Sequence, residues 1–307
     1  MPDDEKNSFM SLLQKRKSLV WLLIFLITIL WGYAWVLMKA SLDYMGPFTF
    51  SSFRFGAGAV TLMLIVWIWK VGLPPKTYWR HLMIIGVLQT SIVFLLVMFA
   101  LRFVEAGKSS VLLYSMPMWS SLLAVRFLGE KLTRRKIIGL LIGMIGLLTI
   151  LGWDIWIGQS PEVIIGEILI ILAAISWAIS NIYYRLKVQN LPQIQVSAFQ
   201  MLFGAIGIVA VTLVMEWGEP VVFNVHSIYY ILFTGVLASA LCFTVWFMIM
   251  SVVDMVTATI STLLVPIFGL MFSTWLLDEV LTTTILIGSA FIIIGIVIVQ
   301  KKNPRQQ

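Results

Sequence analysis

The sequence predicts an all-α integral membrane protein of ten transmembrane helices built as two inverted five-helix repeats. Three observations carry that fold class. First, 60% of the residues are hydrophobic and only 11% charged, with a mean hydropathy of +1.00, a composition that cannot clothe a soluble surface. Second, the apolar residues fall into ten runs, each near the roughly 20 residues that cross a hydrocarbon core of about 30 Å. Third, the two halves of the chain repeat each other's glycine, proline and charged landmarks.

The runs are Leu19 to Met38, Phe48 to Trp69, Leu82 to Leu101, Ala106 to Leu128, Ile137 to Trp153, Val163 to Tyr184, Val196 to Met215, Ile228 to Met250, Met255 to Leu277 and Leu281 to Val299. They are unbroken and lack strict alternation, so they read as helices, whose backbone hydrogen bonds close within each segment, rather than as barrel strands.

With the N-terminus cytoplasmic, seventeen Lys and Arg fall in inner segments and three, Lys39, Arg102 and Lys108, in outer loops, leaving Arg54 inside a span. The positive-inside rule therefore places both termini on the cytoplasmic side of the cell membrane. Residues 1–18 form a cytoplasmic stub with no A-x-A-like cleavage pattern, so the first run is expected to remain as a helix. One cysteine, Cys242, excludes an internal disulfide framework and a CxxC pair. No metal site, cofactor or nucleic-acid partner is expected; the lipid bilayer is.

A shift of 146 superposes Trp31 on Trp177, Phe53 on Phe199, Arg54 on Gln200 and Gly58 on Gly204. A shift of 149 superposes Gly86 on Gly235, Glu105 on Asp254, Pro117 on Pro266, Glu130 on Glu279, Thr133 on Thr282, Gly139 on Gly288 and Gly146 on Gly295. The first repeat is thus expected over residues 19–153 and the second over 163–300, with an outer linker at 154–162 and a cytoplasmic tail at 301–307. An odd number of spans per repeat forces the second to enter the membrane from the opposite side. Inverted repeats of this kind suit a central site opened alternately to either face; the alternative is a duplication that only builds a scaffold.

The residues also resemble a known family. WGYAWVLMKA and FSSFRFGAGA in the first two spans, AGKSSVLLYSMPMWSSLLAVRFLGEKLTRRKIIGLLIGMIGLL across the fourth and fifth, and GEILIILAAISWAISNIYYRLK with MVTATISTLLVPIFGLMFSTWLLDEVLTTTILIGSAFIIIGIVIV in the second half are similar to the ten-helix EamA-like branch of the drug/metabolite transporter superfamily. The resemblance covers nearly the whole chain. It implies a secondary transporter, an exporter of amino acids, related metabolites or drugs. Gln200 in place of the first half's Arg54, and Asp278 in place of Gly129, depart from repeat symmetry.

Candidate substrate-binding residues are those that put polar or aromatic groups at membrane depth. Trp31 and Trp35, and their counterparts Trp177 and Asn181, each form an i, i+4 pair on one helix face. They either wall a pocket for an amphipathic solute or pack helices together. Gln89, Tyr114, Ser239, Trp246 and Thr262 complete the candidate set, against the reading that such groups only make interhelical hydrogen bonds. Pro117 and Pro266 free the carbonyls of Leu113 and Thr262 and are candidate hinges. Glu130 and Glu279 are read as turn and cap residues beside Thr133 and Thr282, with gating as the second reading. Arg54 is read as the only charge well inside a span. It is taken as a structural cap for freed carbonyls rather than a ligand for a substrate carboxylate, because it lies about 9 Å below the outer end of its helix.

Three function classes follow. A secondary transporter of a small-molecule substrate fits the repeats. A lipid or lipid-linked head-group flippase would show a lateral apolar groove with a basic head-group site. An intramembrane enzyme would need a nucleophile, acid pair or metal cluster that the spans do not supply, so no catalytic residue is expected. Glu167, about one turn into the sixth span, is the one coupling candidate; without it transport is expected to be uncoupled or by exchange. The oligomeric state is left open.

Overall fold

The computed structural model describes residues 17–129, 133–156, 158–252 and 264–300. Among the described residues there are ten helices and no strand. They are α1 (Lys17–Ala40), α2 (Pro47–Ile68), α3 (Lys76–Ile85, Gly86–Ile92 and Val93–Ala100), α4 (Ala106–Leu113 and Met116–Phe127), α5 (Arg134–Trp156), α6 (Pro161–Lys187), α7 (Gln193–Met215), α8 (Val225–Leu232, Phe233–Leu241 and Cys242–Val252), α9 (Leu264–Leu276) and α10 (Thr283–Gln300).

Helix ends follow local chemistry. Pro47 and Pro161 begin α2 and α6, where a missing N–H costs nothing. Arg185 and Lys187 close α6 and Glu162 opens it, each charge opposing the local end of the helix dipole. Asn224 and Ser227 form a reciprocal capping box, at 2.9 Å each way, that starts α8 at Val225, ahead of the expected Ile228. Thr282 Oγ1 accepts from Ile285 N at 3.2 Å and caps α10, as its position predicts.

Three elements differ from the sequence expectation. The fourth span is not one kinked helix but two, broken at Tyr114 and Ser115, because Pro117 offers no N–H to the carbonyl of Leu113 and the chain closes tighter turns instead. Ser115 N donates to Leu112 O at 3.2 Å, and Met118 N to Ser115 O at 2.9 Å. In α3 and α8 the middle of the helix is π-wound, over Gly86–Ile92 and Phe233–Leu241. These segments are repeat counterparts: Gly86 opens the first, and its match Gly235 lies two residues into the second. The ninth span was expected from Met255; its first part, and the candidate Thr262, lie outside the described residues.

Packing obeys the repeat symmetry. Helices α5 and α10 pack on each other, as do α2 and α7, and α4 and α9. The next most extensive contacts exchange into one another: α1 on α9 with α6 on α4, α3 on α6 with α8 on α1, and α7 on α3 with α2 on α8. Glycine makes the close ones possible. A Cβ on Gly146 would meet the carbonyl oxygen of Gly288 at 2.6 Å, and one on Gly295 that of Gly139 at 2.5 Å. The glycine faces of α5 and α10 are therefore used against each other.

Candidate functional site

Four helices bring aromatic rings to one place. Trp31 of α1 meets Phe243 and Trp246 of α8 edge-on, at ring separations of 5.6 and 6.0 Å. Trp177 of α6 lies 6.5 Å from Phe243 and 6.5 Å from Tyr114, which sits at the break in α4. The Trp31 indole donates to the carbonyl of Ala238 at 2.8 Å, inside the π-wound part of α8. Buried indoles keep a polar partner in this way, and here that partner is backbone exposed by the irregular winding.

Polar side chains on several helices pair across helix contacts. Gln89, in the π-wound part of α3, accepts from Ser180 Oγ at 3.2 Å. Thr90 donates to Gln200 Oε1 at 2.8 Å, and the repeat counterpart of this contact is Arg54 Nε donating to Ser239 Oγ at 3.1 Å. Trp35 lies buried near Gly269 of α9, and Asn181 donates to the sulfur of Met116 on α4 at 3.2 Å. The i, i+4 partners thus go to helix contacts while Trp31 and Trp177 enter the ring cluster. Pro117 and Pro266 are both buried. Glu130 lies outside the described residues.

The charged residues require correction. Lys108 is not in a loop: it sits in the first turn of α4, 6% exposed, and its Nζ pairs with the fully buried Glu167 of α6. Arg54 is therefore not the only charge inside the spans. Nor does Arg54 cap a carbonyl, since its bonds run to Ser239 Oγ and Met38 Sδ. Glu279 acts on another helix than expected. Its two oxygens accept from Ala106 N at 2.6 Å and Gly107 N at 3.0 Å, closing the N-terminus of α4. Glu216, which sequence reasoning passed over, does the same for α2, accepting from Phe48 N at 3.0 Å and Thr49 N at 2.7 Å. Lys39 completes the set by donating to the carbonyls of Leu101 and Val104 at the end of α3. These contacts all lie at the same end of the bundle, where α1 and α3 finish and α2, α4, α6 and α8 begin.

The EamA-like transporter family model matches residues 18–152 and again residues 164–300. The chain belongs to the EamA-like transporter family. Among relatives of this transporter is the uncharacterized transporter YoaV of Bacillus subtilis, 30% identical over 271 residues that cover 88% of this chain and 92% of YoaV. A Salmonella typhimurium protein named "Probable amino-acid metabolite efflux pump" is 24% identical over 284 residues, covering 90% of this chain and 93% of its own. A solved crystal structure matches with a TM-score of 0.66 at 20% identity, over 92% of this chain and 98% of the other, and shares the fold. This EamA-like protein is accordingly a multi-pass membrane transporter and not an enzyme.

A lateral groove of about 450 Å³ also runs between α2 and α7, lined by Gly56, Ala59, Val60, Met63, Leu64, Leu202, Ala205, Ile206 and Val209. It is apolar throughout and carries no basic lining residue. The head-group site that a flippase requires is absent from that lining.

Proposed function

We propose that this transporter exports amino acids or related amphipathic metabolites across the cell membrane, by alternating access about the ring cluster formed by Trp31, Tyr114, Trp177, Phe243 and Trp246. One observation carries the reading. Helices from both inverted halves converge on that cluster, through the π-wound α8 and the broken α4, so rocking one half against the other reshapes it. The name of the Salmonella relative supports the substrate class.

The positive-inside count puts both termini in the cytoplasm and the Lys39, Glu216 and Glu279 contacts at the outer end. In this reading those contacts and the Lys108–Glu167 pair hold the outer end closed, and Pro117 and Pro266 are where the helices bend. Proteoliposomes containing only this protein, preloaded with a panel of radiolabelled amino acids, test it. Efflux of at least one amino acid above empty vesicles is expected, with strong loss in Trp177→Ala. Equal leakage with and without protein for the whole panel would overturn the amino-acid reading.

A further inference from the structure

Arg54 is 3% exposed, and its charge is not needed by the packing around it. The repeat supplies the comparison within the same molecule. Gln200 occupies the equivalent position of α7, where its Oε1 accepts from Thr90, the counterpart of the Ser239 that accepts from Arg54, so a neutral amide makes the same helix contact even though its Nε2 is left without a partner among the described residues. Placing a guanidinium there instead adds the cost of taking a charge out of water. Among the described residues no carboxylate bonds to it. Nε goes to Ser239 Oγ at 3.1 Å and one Nη to Met38 Sδ at 2.9 Å. The rings of Phe55 and Phe94 lie 4.8 and 4.6 Å from its central carbon, which offsets part of the cost and fixes the plane of the fork. The other Nη has no bond among the described residues.

The location ties it to the ring cluster. Arg54 and Trp31 end on consecutive residues of α8, Ser239 and Ala238. Among the described residues the other buried cation, Lys108, is already paired with Glu167.

We propose that Arg54 anchors the carboxylate of the transported solute, whose apolar body lies on the neighbouring rings. A planar guanidinium binds a carboxylate through two parallel N–H···O bonds. One cation flanked by aromatic faces suits a monoanionic organic acid with an apolar body rather than a phosphate ester. The inference rests on the amino-acid reading above and narrows it: the carboxylate is required, and an amide or amine of the same body is not a substrate.

The test uses four probes on the purified full-length protein, L-phenylalanine, 3-phenylpropanoate, L-phenylalaninamide and phenethylamine, with phenyl phosphate as a control for phosphate recognition. Ligand-induced rise in melting temperature reads binding, and counterflow in proteoliposomes reads transport. Wild type is expected to bind the two carboxylates at least about tenfold more tightly than the amide and the amine, as a charge-assisted bidentate pair requires. In Arg54→Gln, which copies Gln200, that discrimination should vanish, and Arg54→Lys should keep part of it. Equal response to all four probes by wild type would overturn the proposal even if no variant folded, as would full discrimination by Arg54→Gln or tighter binding of phenyl phosphate. Transport of the amine alone would sink the carboxylate anchor yet leave a working transporter. Silence toward every probe would sink the anchor, and the amino-acid reading falls separately only if the wider efflux panel is silent too.

Discussion

Glu279 shows how much one carboxylate can hold at this fold's end. Both oxygens are engaged by backbone amides at the positive end of α4, and such charge-assisted bonds are roughly twice as strong as neutral ones. Glu279→Gln keeps one acceptor and turns an NH2 toward the other amide. We expect it to lower stability by about 1–2 kcal/mol, measured by thermal unfolding in detergent; no loss would mean that the amides are equally well served by water. Backbone strain at a neighbouring position gives a second residue-scale expectation. Asp278 and its repeat counterpart Gly129 both adopt the left-handed conformation, at φ of 53° and 66°, which explains why the second half tolerates a side chain there: Asp is among the few L residues that visit this region. Gly129→Ala should therefore cost about 1 kcal/mol and Gly129→Asp clearly less, and an equal cost for both would contradict that account.

At the scale of elements, close helix contact depends on particular glycines and not on glycine content. A Cβ on Gly86 would fall against the backbone of Gln200 and Gly204, whereas one on Gly56 meets nothing within 4 Å. Gly86→Ala is expected to cost about 1–3 kcal/mol through overpacking of α3 on α7. Gly56→Ala, in the regular α-helical interior of α2, should gain about 0.5–1 kcal/mol. Equal effects in parallel unfolding measurements would refute the packing argument. Hydropathy and repeat spacing were enough to read the ten spans and to pair Arg54 with Gln200, because bilayer thickness sets run length and duplication preserves landmarks. The π-wound segments were not legible, since winding there depends on which residues press against Gly86 and Gly235 from α7 and α2. The break in α4 was half legible: Pro117 announces a lost hydrogen bond, but whether the helix bends or divides depends on its neighbours. Lys108 stands inside the run that begins at Ala106, yet a lysine near a span end reads as a loop residue until its partner, 59 positions along at Glu167, is known. Glu216 sits in a loop where no local pattern points to the start of α2.

For the whole molecule, the position of Glu167 bears on how transport is driven. A proton-coupled carrier needs a carboxylate that gains and loses a proton as the site changes sides. Glu167 is buried in α6, but Lys108 is buried with it on α4, and a proton delivered to the carboxylate would break that ion pair inside the bundle. The cost of stripping one partner from a buried pair is about 3–5 kcal/mol, so we expect the two to act as a neutral unit that joins α4 to α6 rather than as a proton carrier. Two outcomes follow. Glu167→Gln should lose about 3–5 kcal/mol of stability, while the double variant Lys108→Met/Glu167→Leu should recover most of it. Transport by wild type and by the double variant should follow the solute gradient, with no response to an imposed pH gradient. Uphill uptake driven by a pH gradient alone in wild-type proteoliposomes, and lost in the double variant, would instead make Glu167 a coupling site and Lys108 the group that sets its charge.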